Sequence, residues 1–297
     1  MTSVPDRLRA DDLRLSYGAG PVVDGVDLAL PAGGITAIIG PNGCGKSTLL
    51  RALARLMAPE SGVVLLDGTD VQRRPTRDVA RELALLPQGA SCPDGLTVED
   101  LVARGRYPHR GRWRPWSTQD QEHVDAALEQ TNLTDLRDRL VDHLSGGQRQ
   151  RAWIAMALAQ DTQTMLLDEP TTYLDLAHQI EVLDLLARLN HERGRTIVLV
   201  LHDLNEAGRY ADRIVAMRDG LIAADGPPAT VLTQETVERV FGLHCRILHD
   251  LDTGAPLVIP SRARSTVRRP TPPGSATADA AGDEAGHGTP TGIDALS

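Results

Sequence analysis

Residues 40–48, with the sequence Gly-Pro-Asn-Gly-Cys-Gly-Lys-Ser-Thr, carry the clearest chemical signature in the chain. The spacing of Gly40, Gly45, Lys46 and Ser47 fits a loop that cradles phosphate, because glycines let backbone N–H groups approach an anion closely. Lys46 is the only lysine in the chain, whose other strongly basic side chains are all arginines. A compact ammonium suits such a cradle, whereas a planar guanidinium does not. The loop therefore predicts a phosphate-binding site.

The segments on either side of this loop indicate how it is held. An apolar run at residues 35–39 predicts a buried strand before the loop. Leu49, Leu50, Leu53, Leu56 and Met57 predict a helix with one apolar face after it. The order of strand, glycine-rich turn and helix is the context that a phosphate loop requires.

A pair of acidic residues, Asp168 and Glu169, follows the apolar run at residues 165–167. An acidic residue at the carboxyl end of a core strand points into the crevice where open α/β sheets bind ligands. Asp168 and the hydroxyl of Ser47 therefore suit a shared Mg²⁺ ion. Glu169 is placed to act as a general base on an attacking water. The alternative is a solvated turn that happens to hold two carboxylates.

The sequence Leu-Ser-Gly-Gly-Gln at residues 144–148 opens a third element. Ser145 is a suitable helix N-cap, and Gly146 and Gly147 leave backbone N–H groups free to face an anion. By itself the segment is either a second phosphate site or only a capped helix. If both segments bind phosphate but share one nucleotide, we expect a second copy of the chain to supply the Leu-Ser-Gly-Gly-Gln segment.

The remaining pattern predicts an α/β core with a helical insertion. Apolar and polar residues alternate over residues 11–30, with turn residues at 18–21, which predicts two antiparallel strands. Tyr17, in the first of them, is either a core aromatic or a ring that stacks on a nucleotide base. The further predicted elements are strands at 62–66, 83–86 and 196–201, helices at 77–82, 98–104, 118–131, 148–159, 177–191 and 231–241, and a hairpin that turns at 219–220.

Composition limits the possible classes of protein. The chain has 297 residues, of which 41% are hydrophobic, and a formal net charge of -9, which disfavours non-specific nucleic-acid binding. Cys44, Cys92 and Cys245 are odd in number and lack Cys-x-x-Cys spacing, so neither a disulfide framework nor a zinc site is expected. No secretory signal and no membrane-spanning run is apparent, so we expect another chain to hold the protein at any membrane. Residues 261–297, rich in Pro, Ala, Gly and Thr, are predicted to be disordered.

Together, the phosphate loop, the Asp-Glu strand end and the Leu-Ser-Gly-Gly-Gln segment resemble the nucleotide-binding cassette of ABC transporters. The resemblance covers residues 8–260. It implies an α/β P-loop NTPase with a RecA-like mixed and parallel sheet core, an antiparallel β subdomain and an inserted α-helical subdomain. The core would comprise residues 8–90 and 160–260, and the helical subdomain residues 91–159.

The resemblance also implies a role for each candidate site residue. Two cassettes would sandwich two ATP molecules, and each ATP would lie between the phosphate loop of one chain and Ser145, Gly146 and Gly147 of the other. Glu169, His202, Gln88 and Lys46 would be catalytic, Gln88 would join Ser47 and Asp168 at Mg²⁺, and Asp175 would contact the partner cassette. The implied ATP-binding residues are Tyr17, Gly40, Pro41, Asn42, Gly43, Cys44, Gly45, Lys46, Ser47, Thr48, Ser145, Gly146, Gly147 and Gln148.

Four segments resemble, more specifically, the cassettes of importers for ferric siderophores, with ferric enterobactin importers the most similar. They are residues 40–48, 101–109, 144–160 and 168–175. Importers of haem or vitamin B12 remain alternatives, as does a soluble non-transport ABC ATPase that acts on ribosomes or DNA. The implied partners are a second copy of the chain, two transmembrane permease subunits and a siderophore-binding protein, without nucleic acid, at the cytoplasmic face of the membrane.

One further segment has an unusual composition. Arg104, Arg106, Arg110, Arg112 and Arg114 are interleaved with Tyr107, Trp113 and Trp116. On an acidic chain this predicts a docking surface for a permease loop, because Trp and Arg are favoured anchors at interfaces. The alternative is a solvated loop.

Overall fold

The computed structural model describes residues 5–18, 20–90, 93–111 and 115–261. The predicted disorder after Ser261 lies outside these residues, as do Cys92, Arg112, Trp113 and Arg114 of the sequence predictions. The described strands are β1 (Asp6–Ser16), β2 (Pro21–Pro31), β3 (Ile35–Ile39), β4 (Ser61–Leu66), β5 (Thr69–Asp70), β6 (Leu83–Leu86), β7 (Thr164–Asp168), β8 (Thr196–Val200), β9 (Arg213–Arg218), β10 (Leu221–Gly226), β11 (Cys245–His249) and β12 (Pro256–Pro260). The described α-helices are α1 (Lys46–Leu53), α2 (Thr76–Val79), α3 (Val98–Ala103), α4 (Thr118–Gln130), α5 (Gly146–Ala159), α6 (Leu176–Arg193), α7 (Leu204–Tyr210), α8 (Pro228–Val231) and α9 (Gln234–Phe241).

A six-stranded sheet with the order β10-β9-β3-β8-β7-β6 forms the centre of the described chain. The pairs within β9-β3-β8-β7-β6 are parallel, and β10 closes the edge as an antiparallel hairpin with β9. Every residue of β3, β7 and β8 is buried, as expected for parallel strands covered on both faces. Because these three strands are neighbours, the segments at their carboxyl ends meet at one edge of the sheet.

A second sheet, with the order β2-β1-β4-β5, is antiparallel and confirms the predicted pair of strands over residues 11–30. Its buried apolar residues pack in one cluster with those of α1, among them Leu49, Leu50 and Leu53. Helix α1 is shorter than the apolar pattern predicts. It ends at Leu53, and Leu56 lies beyond the helix with its side chain exposed.

Helices α3, α4 and α5 lie in sequence between β6 and β7, and no strand of two or more residues is described there, so the predicted helical insertion is confirmed. Arg106, however, does not belong to a docking surface. Its side chain is buried and pairs with the buried Asp120, at 3.1 Å between Nε and Oδ1. That part of the prediction is wrong because a neighbouring helix supplies a carboxylate that neutralises the guanidinium inside the subdomain.

Near the C-terminal end of the described chain, helices α7 and α8 and the hairpin of β11 and β12 were not predicted. Helix α7 follows β8, and the hairpin of β11 and β12 packs against it. The side chain of Asn205 in α7 accepts a hydrogen bond from the Val258 N–H at 2.7 Å and so extends the hairpin's edge. Helix α9 was predicted three residues too long at its start, since residue 231 ends α8 and α9 begins at Gln234. Among the described helices, none is both long and apolar enough to cross a membrane.

Candidate functional site

The phosphate loop joins β3 to α1 in the geometry that its glycines permit. Gly45 is the N-cap of α1 at φ 102°, a left-handed conformation that side chains disfavour. Gly40 passes so close to β9 that a Cβ there would lie 2.3 Å from the Met217 carbonyl oxygen. The Lys46 ammonium is buried and donates to the carbonyl oxygens of Gly40 and Pro41 at 2.8 and 2.9 Å. The loop thus encloses a positive charge with backbone acceptors alone.

Asp168 ends β7 beside the start of α1. The Ser47 hydroxyl donates to its Oδ1 at 2.8 Å. Burial raises the pKa of Asp168, and the hydrogen bond from Ser47 and the charge of Lys46 oppose that rise. Among the described residues, the Ser47 hydroxyl is the only hydrogen-bond donor to the Asp168 carboxylate, which can therefore accept further bonds or bind a cation.

Glu169 follows at φ 53°, a conformation that is uncommon for a residue with a side chain. Its Oε1 lies 2.6 Å from the His202 Nε2 atom. Its Oε2 accepts from the Gln88 amide at 2.6 Å and from the Thr172 hydroxyl at 3.0 Å. Gln88 follows β6 and His202 follows β8, so side chains from both neighbouring strand ends hold the carboxylate of the middle one.

These side chains surround a cleft of about 530 Å³. It is lined by Val22, Asn42, Gly43, Gly45, Lys46, Ser47, Thr48, Gln88, Glu169, Thr172, Tyr173 and His202. Asp168 reaches this cleft through its bond to Ser47 and lines an adjoining cavity of about 190 Å³, together with Gln88, Glu169 and Gly146. The structure therefore brings the phosphate loop, the acidic pair, Gln88 and His202 into one site.

Tyr17 is not a core aromatic, since 63% of its side-chain surface is exposed. Hydrogen bonding to Thr48, and then to Arg51, lowers the pKa of its phenol. The Arg51 guanidinium donates to the phenol oxygen at 3.4 Å. The largely exposed ring thus stands near the first turn of α1, where stacking on a nucleotide base would require it.

The Leu-Ser-Gly-Gly-Gln segment forms the predicted N-terminus of α5. Ser145 is its N-cap, and the Ser145 and Gln148 side chains bond reciprocally to each other's backbone N–H groups. Ser145, Gly147 and Gln148 do not line the phosphate cleft of their own chain, and neither does Asp175. Asp175 instead caps α6, where its Oδ1 accepts from the His178 N–H at 3.0 Å.

The ABC transporter family profile matches residues 23–172, which span the phosphate loop, the α5 segment and the acidic pair. The chain belongs to the ABC transporter family. The cassette is 55% identical to the probable siderophore transport system ATP-binding protein of Bacillus subtilis, over 88% of this chain and 95% of that protein. It is 53% identical to the ferric enterobactin transport ATP-binding protein of Escherichia coli, over 88% of this chain and 96% of that protein.

Solved structures agree with this assignment of fold. A transporter described as of the metal-chelate ABC type, in an inward-facing conformation, superposes with a TM-score of 0.76 at 30% identity, covering 86% of this chain and 98% of that one. A dimeric ATP-binding cassette in a post-hydrolysis state with ADP and Pi gives 0.66 at 27% identity, over 74% of this chain and 98% of that one. The cassette is therefore an ABC-type ATPase domain with a P-loop NTPase fold, and nucleotide binding follows from the family.

The residues of the cassette also fit Mg²⁺. Within the described ranges there is no cluster of three or more His, Cys, Asp or Glu side chains that could form a metal cage. Mg²⁺ needs no such cage, because it keeps several waters and binds through one or two protein ligands together with substrate phosphates. The Ser47 hydroxyl and the buried Asp168 carboxylate, 2.8 Å apart beside the loop, form a donor set of that kind.

Sequence reasoning missed four groups at the site. Thr172 bonds Glu169, Val22 and Tyr173 line the cleft, and Arg51 contacts the Tyr17 phenol. Thr172 lies within the 168–175 segment but has no individual signal, since threonine is common in turns. Arg51 had a signal in the sequence: it lies four residues after Ser47, and residues at this spacing share one face of a helix.

Proposed function

We propose that the cassette is the ATP-binding and ATP-hydrolysing subunit of an importer for ferric siderophores. The observation that carries the enzymatic part is the Glu169 carboxylate, held by Gln88 and His202 at the cleft that Lys46 and Ser47 line. The transport part rests on similarity, because the relatives at 53–55% identity are named for transport of a siderophore, of ferric enterobactin and of achromobactin.

Lys46 and the loop backbone bind the phosphates of ATP. The ammonium now donates to the carbonyl oxygens of Gly40 and Pro41, and it exchanges these neutral acceptors for charged phosphate oxygens. Ser47, Asp168 and Gln88 would hold Mg²⁺, which when bound neutralises charge that develops on the phosphates. Burial keeps water from screening the interaction of Lys46 with the phosphates.

Glu169 accepts the proton of the attacking water. Hydrogen bonds from Gln88 and Thr172 to Oε2, and the 2.6 Å contact of Oε1 with the His202 Nε2 atom, fix the side chain in one orientation, so the base reaches the water without reorganising first. His202 lies at the same end of the cleft and is placed to donate to the terminal phosphate. Tyr17 stacks on the adenine base through an exposed ring face.

A second copy of the cassette completes the site. Ser145 and Gly146 are exposed at the N-terminus of α5. Neither lines the phosphate cleft of its own chain, although Gly146 lines the adjoining cavity. The N-terminus of a helix favours an anion. We assign these residues, with Gly147 and Gln148, to the ATP held by the partner, and Asp175 to the contact between the two copies. The dimeric cassette among the similar structures supports this arrangement.

The hydrolytic role is tested by Glu169→Gln, with the exposed Glu192→Gln as a control on α6. Loss of the base lowers kcat for ATP hydrolysis by about 100-fold or more, and nucleotide affinity is retained. The measurement is steady-state phosphate release together with binding of a fluorescent ATP analogue. A Glu169→Gln variant that hydrolyses ATP as fast as Glu192→Gln would contradict the assignment of the base.

The substrate is tested in cells from which the gene has been deleted. We expect growth on ferric siderophores as sole iron source to be lost, and growth on haem to be retained. Haem is the second candidate, because the chain is also 44% identical to a hemin import ATP-binding protein of Nocardia farcinica, over 82% of this chain. Loss of growth on haem alone would assign the cassette to that class.

The permease docks, in our proposal, on a groove of about 390 Å³ beside α3 and α4. Tyr107, 58% exposed, and Trp116, 37% exposed, line it, and the Arg110 guanidinium lies 5.4 Å from the Trp116 ring centroid. The α3–α5 region would form the helical subdomain of residues 91–159, between core segments 8–90 and 160–260. Binding there would hold the cassette at the cytoplasmic face of the membrane.

The docking groove is tested with the double variant Tyr107→Ala/Trp116→Ala. It should lower co-purification with the permease and leave the ATPase rate of the isolated cassette unchanged. The control is Leu251→Ala, which removes an exposed apolar side chain from the loop between β11 and β12. Co-purification of the double variant with the permease at the wild-type level would contradict the proposed docking groove.

A further inference from the structure

His178, in the first turn of α6, packs against the segment at the start of α5. Its imidazole ring covers Gly147, where a Cβ would lie 2.3 Å from the ring Cδ2 atom and 2.8 Å from Cγ. Gly147 is buried under this ring, whereas its neighbours Ser145 and Gly146 are exposed. The two segments are far apart in sequence, and a side chain larger than hydrogen at position 147 would force them apart.

Asp175 fixes the orientation of this ring. Its Oδ1 accepts from the His178 backbone N–H at 3.0 Å and lies 2.7 Å from the His178 Nδ1 atom. A carboxylate can only accept, so Nδ1 carries the proton and the ring is held in one tautomer. The same hydrogen bonds to His178 lower the pKa of Asp175, which therefore stays ionised as the acceptor.

The ring thus joins two segments that face outward from the cassette. Tyr173, Leu174 and Asp175 form the loop before α6, and the Tyr173 oxygen and the Leu174 Cδ2 atom lie 4.0 and 3.9 Å from a Cβ placed on Gly146. Both glycines therefore rest on this loop or on the first turn of α6. A shift of the loop would be passed to the N-terminus of α5 through His178, because a rigid ring in van der Waals contact cannot be compressed.

We propose that His178 is a positioning residue that ties Gly147 to Asp175, so that the α5 N-terminus and the loop before α6 meet a second copy of the chain as one rigid unit. The inference rests on the proposed function, in which both segments contact the partner and its ATP. His178 does not line the phosphate cleft of its own chain. Its effect falls on assembly of the composite site and leaves the phosphate loop of its own chain unaltered.

The test uses the full chain in a Glu169→Gln background, which retains ATP. Two quantities are measured for each variant: binding of a fluorescent ATP analogue to the monomer at low protein concentration, and ATP-dependent dimerisation by sedimentation. His178→Ala should weaken dimerisation by about tenfold, the loss expected for one hydrogen bond with its packing contact, while monomer affinity stays within about twofold. His178→Asn, whose amide can still donate to Asp175, should recover part of the dimer affinity.

The control is His191→Ala, which removes an exposed histidine from the far end of the same helix. Dimerisation of His178→Ala equal to that of His191→Ala would overturn the inference, and so would an equal loss of monomer affinity and dimer affinity. A loss in His178→Asn as large as in His178→Ala would also overturn it. Failure of the Glu169→Gln parent to form any ATP-dependent dimer would instead refute the proposed function, and this separates the two ideas.

Discussion

Arg106 and Asp120 form an ion pair in which both side chains are only 4% exposed. The guanidinium donates from Nε to Asp120 Oδ1 at 3.1 Å and from Nη1 to the Ala159 carbonyl at 2.8 Å, so it joins α4 to the end of α5. Arg106→Met would fill similar space and leave both acceptors without this donor. Breaking a buried pair by removing one partner costs about 3–5 kcal/mol, and we expect a loss of that size in the free energy of unfolding.

The pH dependence gives a second measure of the same pair. Burial by itself would raise the pKa of Asp120, but hydrogen bonds from Ser117 and Arg106 outweigh it and lower the pKa to about 2 from 3.8. A depressed carboxyl pKa contributes stability above the unfolded value, and this stability is lost as pH falls from about 4 to about 2. The shift corresponds to about 2 kcal/mol. In the Arg106→Met variant, Ser117 alone would lower the pKa of Asp120. The stability lost between about pH 4 and about pH 2 should therefore be smaller than in the wild type.

The assay is urea unfolding followed by circular dichroism and by tryptophan fluorescence, with Trp116 and Trp153 reporting on the helical region. Asp120→Asn and the double variant complete a thermodynamic cycle, in which the double variant should lose less than the sum of the single losses by about 1–3 kcal/mol. A loss below about 1 kcal/mol for Arg106→Met would refute the reasoning. Weaker permease binding by an Arg106→Met variant of unchanged stability would instead restore the docking role.

Three further changes have defined outcomes. Gly40→Ala should lower ATP affinity by at least about tenfold, because its Cβ would lie 2.3 Å from the Met217 oxygen. Gly43→Ala, whose Cβ would meet no atom within 4 Å, should lose less ATP affinity when both variants are measured by calorimetry. Tyr17→Leu should raise KM for ATP about three- to tenfold while Tyr17→Phe does not, because stacking needs the ring alone; equal KM values would contradict it. Burial and then Asp203 raise the pKa of Glu206 to about 7 from 4.5, so the wild type loses stability as pH rises through that range. Glu206→Gln should therefore have the higher Tm at pH 8 and no such advantage at pH 4.

The centre of the site could be predicted because it combines local motifs with one rule of topology. The loop at Lys46, the acidic pair at Asp168 and the histidine at residue 202 each follow a buried apolar strand. Carboxyl ends of neighbouring parallel strands meet at one edge of a sheet, so the motifs had to converge once these strands were paired. The sequence alone does not decide whether Tyr17 is a core aromatic or a nucleotide-stacking ring, and its exposure in the structure excludes the core.

The features that the sequence did not reveal depend on contacts between distant segments. Arg106 stands among other arginines, and nothing in its own segment shows that Asp120 will enclose it. His178 occupies an ordinary position on a helix, and only its packing on Gly147 sets it apart. Hairpin β11–β12 was missed because its short strands expose several residues, which weakens the alternation of apolar and polar side chains.

The position of Glu169 offers a physical link between the docking groove and the chemistry. Its Oε2 accepts hydrogen bonds from Gln88, which follows β6 and precedes α3 in the chain, and from Thr172. Helix α3 forms one wall of the groove with Tyr107 and Trp116. The Glu169 Oε1 atom is held by His202, which belongs to the core. A displacement of α3 that moved Gln88 would remove one of the two hydrogen bonds to Oε2, while Thr172 and His202 kept their contacts, and this would rotate the carboxylate. If a permease docks on the groove as we propose, the rate of hydrolysis would then depend on where it holds α3, because the orientation of the Glu169 carboxylate would change with that position.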